Sequence, residues 1–423
     1  MTEATSATPA PDALADVLAD APFARLVATD DGDALAAAGL LARALRAVGT
    51  PFQVRVAADP VPDDADDGVS VTVGAARGPR AISGAGRPAS TDAFAVSRAL
   101  GVEPDPVVAL AGVVAAGSVP GTDGSADALD AAEDSDRVRR RPGVAIPTAD
   151  LADGLAASTL VRTPYSGDPE AARAALAELG IPADLGDEAH RRLASLVAVD
   201  VADADEASAR AASAVERALR PYATTGDATP FETVGGYADA LDALAREAPG
   251  TGVALALDTD PSADLRTAAL GAWRSHGLAA HRALDAATTS RYDGCVVVRV
   301  ELPEGEGDGP EDGDTAPDAG AVLPTIARLA RDFRSPEPVA IAVDESAGRL
   351  AAAAVGGGRA ADDAATEPLG LGDACRSVAT EFDGDGWGTA ERGGLAVGAG
   401  EKGGEAETDG DVTGALAALR EAL

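Results

Sequence analysis

The chain has 423 residues, enough for two or three domains with substantial cores. It carries 70 acidic residues against 34 basic ones, a net charge of −36, and Lys402 is its single lysine. A hydrophobic fraction of 46% with recurrent periodicity excludes a disordered chain, and no run of 18 apolar residues offers a membrane span.

So acidic and lysine-poor a surface is that of a protein adapted to molar salt, where the Debye length falls to about 3 Å and carboxylate repulsion is screened. The fold is expected to need high salt. Net charge then reports the solvent rather than the partner, so local arginine clusters carry the information about anionic ligands. Cys295 and Cys375 stand alone in sequence and read as buried thiols of a reducing cytoplasm. The first residues, MTEATSATPAPD, lack the charged and apolar regions of a signal peptide, so a cytoplasmic location is expected.

Residues 1–22 read as a tail with a short helix. Leu26–Val27–Ala28 is a short apolar strand that runs into the acidic turn Asp30–Asp31–Gly32–Asp33, followed by a small-residue helix with Leu35, Leu40, Leu41 and Leu45 on one side. Strand, acidic turn and helix present carboxylates at the carboxyl end of an open α/β sheet. Asp30, Asp31 and Asp33 can be read as oxygen ligands for a hard divalent cation, or as caps for the positive end of a helix.

Val54–Ala57 and Val69–Val73 are strand-like, and Thr91–Leu100 and Asp105–Ala116 are helical. Such alternation implies a mostly parallel sheet. Gly121–Asp136 reads as an acidic loop. It ends in Arg137–Val138–Arg139–Arg140–Arg141, four arginines in five residues, which can touch phosphate or neutralise the acids before them. Residues 168–180 and 186–222 have helical spacing and read as a connector without chemistry of its own.

A second α/β unit starts near Pro249–Gly250. Val253–Asp258, Cys295–Glu301, Val339–Asp344, Leu350–Val355 and Leu395–Ala399 read as strands, and Leu265–Ala283, Gly372–Phe382 and Val412–Leu423 as helices. Glu301–Gly320 is low-complexity acid, a solvated loop. Two glycine-rich turns occur, Gly356–Arg359 and Gly384–Gly388.

In the order of these elements, and in degenerate motifs, the chain resembles the DHH phosphoesterase superfamily and, within it, the RecJ-like proteins of haloarchaea. The resemblance covers residues 23–423. It implies an α/β fold in three parts: a DHH-like domain over 23–165 with a mostly parallel sheet and flanking helices, a helical connector over 166–248, and a smaller DHH-associated α/β domain over 249–423.

Active members of the superfamily hold two manganese or magnesium ions with Asp and His from four sequence blocks, and the metals activate a water against a phosphodiester. The first block corresponds to Ala28–Asp33, where Asp30 survives, Ala28 replaces a histidine, and Gly32 replaces the second aspartate with Asp33 displaced by one. The second corresponds to Val71–Gly74, without a carboxylate. The block that names the family corresponds to Ile82–Ala85, where Ser83, Gly84 and Ala85 replace every ligand. The fourth corresponds to Ala111–Ser118, with Ser118 for its aspartate. The three histidines, His190, His276 and His281, lie outside all four blocks. One surviving carboxylate cannot hold two hard cations.

The resemblance therefore implies a catalytically degenerate protein of DNA replication or repair, with no cofactor expected and with Mn or Mg only if a site survives at Asp30, Asp31 and Asp33. The alternative is an active metal-dependent single-strand exonuclease or phosphoesterase. A relative of this kind serves as a scaffold in the eukaryotic replicative helicase. The implied partners are single-stranded DNA or RNA, GINS, the replicative helicase or an active RecJ paralogue. The family's C-terminal glycine turn touches phosphate or nucleic acid, so Gly386, Trp387, Gly388, Arg359 and Arg392 are the candidate nucleic-acid contacts, with Trp387 able to stack a base.

Overall fold

The computed structural model describes residues 9–62, 68–180, 186–203, 209–219, 221–225, 229–258, 260–302, 319–355, 370–398 and 409–423. Arg359 and most of the acidic loop expected over 301–320 lie outside the described residues. In chain order the elements are α1 (Pro11–Ala19), β1 (Ala24–Ala28), α2 (Gly32–Val48), β2 (Phe52–Val56), β3 (Val69–Val73), β4 (Ala81–Ile82), α3 (Ala89–Ala99), α4 (Pro106–Ala115), α5 (Ala126–Asp134), β5 (Val138–Arg140), α6 (Leu151–Ala157), α7 (Pro169–Glu178), α8 (Asp187–Ala202) and α9 (Ala209–Ala218). They continue with β6 (Tyr222–Thr224), α10 (Val234–Glu247), α11 (Pro249–Leu257), α12 (Ala263–Ala286), β7 (Thr288–Tyr292), β8 (Cys295–Val300), α13 (Ala319–Leu329), a π-helical turn (Ala330–Arg334), β9 (Val339–Asp344), β10 (Arg349–Ala354), α14 (Leu371–Glu381), β11 (Asp385–Gly388), β12 (Arg392–Ala396) and α15 (Asp409–Ala422). The expected fold class holds: a parallel sheet flanked by helices, a helical middle and a C-terminal α/β sheet.

The chain divides into two compact units, one of 1–160, 176–194 and 217–274, the other of 161–175, 195–216 and 275–423. The first holds a four-stranded sheet of order β2-β1-β3-β4, whose pairings are all parallel, and a separate antiparallel pair, β5 and β6. The helix α2 is buried along most of its length and packs against α3, α4, α10 and α11. Its small residues make this possible. A Cβ on Gly32 would lie 2.8 Å from Ala115 Cβ and 2.9 Å from the Asp242 nitrogen, and one on Gly39 would collide with Ala256. These helices meet at backbone distance, where a dense interior leaves no room for added atoms.

Four elements differ from the sequence expectation. Val253–Asp258 belongs to helix α11 and its C-cap, not to a strand: Pro249 opens the helix, and Gly252 and Ala256 lie against Leu35 and Gly39 of α2. A short apolar run has the same signature in a buried strand and a buried helix. The stretch Gly121–Asp136, expected as loop, contains α5, whose Ala128 and Ala132 are buried four residues apart on one face. Gly386–Trp387–Gly388, expected in a turn, is strand β11, and its partner β12 ends at Ala396 rather than Ala399.

The second unit holds a six-stranded sheet of order β11-β12-β10-β9-β8-β7. All neighbours are antiparallel except β8 and β9, which are parallel and joined through α13. Its core includes Val297, Ile341, Val343, Leu350, Leu395 and Leu416, with the free thiols Cys295 and Cys375 buried among them. The helix α13 ends in the wider π turn, and Arg210 of α9 collects one carbonyl of that turn and three from the residues that follow it. Its Nε donates to the Arg331 carbonyl at 3.0 Å, Nη1 to Pro336 at 3.0 Å, and Nη2 to Ser335 and to Glu337, the latter at 2.6 Å. Among the described residues no helix is long and apolar enough to cross a membrane.

Candidate functional site

The carboxyl ends of β1, β3 and β4 bring Thr29–Asp33, Gly74 and Ser83–Gly84 together, because the strands run parallel and in register. This edge is where open α/β sheets place ligands. The Thr29 nitrogen donates to the Val73 carbonyl at 2.9 Å, and the Thr29 hydroxyl donates to Asp31 Oδ2, fixing the turn.

Each aspartate of the turn has a place inside the fold. Asp31 is the N-cap of α2, its Oδ1 accepting from the Ala34 nitrogen at 2.8 Å. Asp33 is buried and caps a different helix: it accepts from the Ala89 nitrogen at 2.6 Å and the Ser90 nitrogen at 3.0 Å. Those two donors open α3, where the preceding Pro88 has no side chain to cap with. Burial, then the neighbouring Asp31 charge, push the Asp33 carboxyl up to about 7 despite its hydrogen bonds. Asp30 is half-buried at the mouth of the turn.

The sequence pattern did not point to two further members. Asp242 on α10 accepts from the Gly32 nitrogen at 3.1 Å through Oδ1 and binds Arg246 Nη1 through Oδ2 at 2.7 Å. The Arg246 side chain is 7% exposed. Burial opposes its charge, but Asp242, Asp30 and Asp31 outweigh that opposition and hold it above the ordinary arginine value. A fixed guanidinium thus stands among the carboxylates at the strand ends. The only sequence signal was the Asp242–Arg246 spacing of four on a helix, which surface helices also show.

These residues do not fit a two-metal centre. The helix termini are filled by the chain's own carboxylates, and Arg246 already supplies the positive charge. At the position of the second family block, Gly74 has φ +88°, and a Cβ there would strike the Thr29 hydroxyl, so this backbone admits no carboxylate. Among the described residues no group of three or more His, Cys, Asp or Glu side chains is placed to hold a metal ion.

Of the C-terminal candidates, Gly386, Trp387, Gly388 and Arg392 lie on the β11–β12 hairpin, and Arg359 lies outside the described residues. The glycines there serve packing: a Cβ on Gly386 would fall 2.5 Å from the Cys375 carbonyl oxygen of α14, and Gly388 turns the chain toward Arg392 with φ +136°. Trp387 is half-buried and covers Gly394 of β12, and Arg392 is half-buried on that strand.

A parallel sheet joined in one chain to a mostly antiparallel sheet has counterparts in fold among solved structures. The crystal structure of CDC45 from Entamoeba histolytica matches with a TM-score of 0.58 at 9% identity, covering 97% of both chains. RecJ from Thermus thermophilus in complex with Mn2+ matches at 13% identity with a TM-score of 0.48. That match covers 99% of this chain, which spans 55% of the RecJ chain. The likeness to CDC45 is one of fold.

At the level of sequence, the chain is 48% identical over 377 residues to "Uncharacterized protein rrnAC1427" of Haloarcula marismortui (strain ATCC 43049), covering 88% of this chain and 91% of that protein. Residues 287–421 match the family model "Uncharacterized protein rrnAC1427, C-terminal domain". The chain belongs to the rrnAC1427 family.

Proposed function

We propose that this chain is a catalytically degenerate RecJ-like protein that acts in DNA replication or repair by binding single-stranded nucleic acid, replisome partners, or both. The observation that supports this reading is the sealed strand edge: Asp31 and Asp33 cap helices, and Arg246 stands where a metal-dependent hydrolase needs cations. The fold shared with CDC45 agrees with a role at the replisome, by analogy of fold alone. The partners in view are GINS, the replicative helicase or an active RecJ paralogue, and in the second unit Trp387 and Arg392 are the contacts offered to a single strand. The buried free thiols suit a reducing cytoplasm.

The test uses the purified full chain in molar KCl with Mn2+ and labelled single-stranded DNA or RNA. The reading expects retention of the strand, or capture of one of the named partners, without degradation. Metal-dependent degradation that disappears in Asp30→Ala would establish the exonuclease alternative instead.

A further inference from the structure

The arginine run after α5 remains without a role in the fold's sealed edge. It spans β5, which pairs antiparallel with β6, and one residue on either side. Arg137 is used internally, 3.1 Å from the buried Asp105. Arg140 is exposed and lies over the Tyr222 ring at 4.6 Å. Arg139 is exposed, and Arg141, two positions on, comes near enough for the two charges to repel. The Arg141 Nε is buried and has no hydrogen-bond partner among the described residues. Behind it, His190 packs on Gly143, where a Cβ would lie 3.1 Å from Nδ1.

An orphaned guanidinium N–H beside a second guanidinium is an unfinished anion site. Burial and the neighbouring Arg139 both work against the Arg141 charge, and its unpaired buried N–H adds a cost that an anion drawing the side chain outward would recover. We infer that Arg139 and Arg141, on one face of β5 and its continuation, grip successive phosphates of a single-stranded nucleic acid, while Arg140 lies on the opposite face over Tyr222. Guanidinium forks match phosphate oxygens two at a time. Positions i and i+2 of a strand stand about 6.6 Å apart, a repeat that an extended nucleic-acid backbone can follow. The strip is narrow, and Glu232 and Asp187 act on Arg141 from its margins. The broad acidic face of a protein partner would meet those carboxylates, whereas a single strand brings its charges along one line.

This inference rests on the nucleic-acid arm of the proposed function, and the experiment separates the two. Full-length protein is titrated with labelled oligothymidylate across a molar range of KCl, with unlabelled polyglutamate as competitor. Replacing both Arg139 and Arg141 with alanine is expected to weaken binding about tenfold or more and to flatten the plot of log affinity against log salt by about 1.4, or about 0.7 for each phosphate no longer neutralised. Arg139→Ala alone, at an exposed position that leaves the fold intact by circular dichroism, is expected to flatten it by about 0.7. If the wild type binds and these variants bind equally with the same slope, this site is overturned while the functional reading stands. If the wild type binds no oligonucleotide at any salt, the nucleic-acid arm fails and takes this inference with it. Binding of polyglutamate that oligothymidylate cannot displace overturns the site in favour of an acidic protein partner.

Discussion

The two sheets use glycine and charge in different ways. At the carboxyl end of the parallel sheet, small residues let α2, α4 and α10 touch, and the enclosed carboxylates are matched by helix N-termini and one buried arginine. On the β11–β12 hairpin, glycine lets α14 lie on the strands, and the covered groups of that core are apolar or thiol. The first region is stabilised by hydrogen-bonded carboxyl groups matched to a buried cation and to helix N-termini, and the second by close packing that tolerates change in proportion to volume. Loss of one charge should therefore cost more than one misplaced methyl group.

The largest effect is expected at Arg246. Arg246→Ala leaves Asp242, Asp30 and Asp31 without their shared cation and should destabilise the protein by about 3–5 kcal/mol, read by denaturant unfolding in concentrated KCl. A loss below about 1 kcal/mol would show that water already screens the cluster and would erase the contrast.

Asp33 comes next. Folded, it holds its proton up to about pH 7; unfolded, it releases it near the ordinary value of about 3.9. The stability contributed by that proton is complete below the unfolded value and is lost as pH rises through about 7, by roughly 1.4 kcal/mol for each unit between the two values. Asp33→Asn should remove this dependence, so wild type should lose stability relative to the variant between about pH 4 and about 7. Parallel profiles for the two proteins would place Asp33 in water.

In the second region, Gly386→Val should cost about 1–3 kcal/mol by forcing α14 off the hairpin, with a matching fall in the thermal midpoint. The smallest effect is expected from Asp31→Ala. Loss of an N-cap costs about 1 kcal/mol, but relief of its repulsion of Asp33 offsets part of that. The same variant should lower the pH at which Asp33 titrates, which an NMR titration would read.

The central strand, turn and helix from Leu26 to Leu45 were legible because every level agreed: apolar strand, capping acid, then a helical stripe. The order of helices and strands was legible for the same reason wherever periodicity was strong. The site was legible only by subtraction. Missing ligands at Gly74, Ser83 and Ser118 can be read from one dimension, but what replaces them cannot. Asp242 lies 210 residues from Gly32 in the chain, and with Arg246 it forms an i, i+4 pair that resembles a solvated ion pair on an amphipathic helix. Nor does sequence tell which helix an acid caps: Asp33 sits at the start of α2 and serves α3. The strand β11 escaped notice because its glycines answer to a helix packed above them rather than to a turn.

The clamp of Arg210 on the π turn bears on where this protein can be cut. The carbonyls it gathers lead into β9, a central strand of the second sheet, and Arg210 lies well before the segment 287–421 that the family model matches. A fragment trimmed to that segment would enter β9 with those oxygens facing water or nothing, and its sheet would lack the bolt that aligns its middle. A fragment meant to keep that strand supported would have to reach back past residue 210, into α9, which lies before the matched segment.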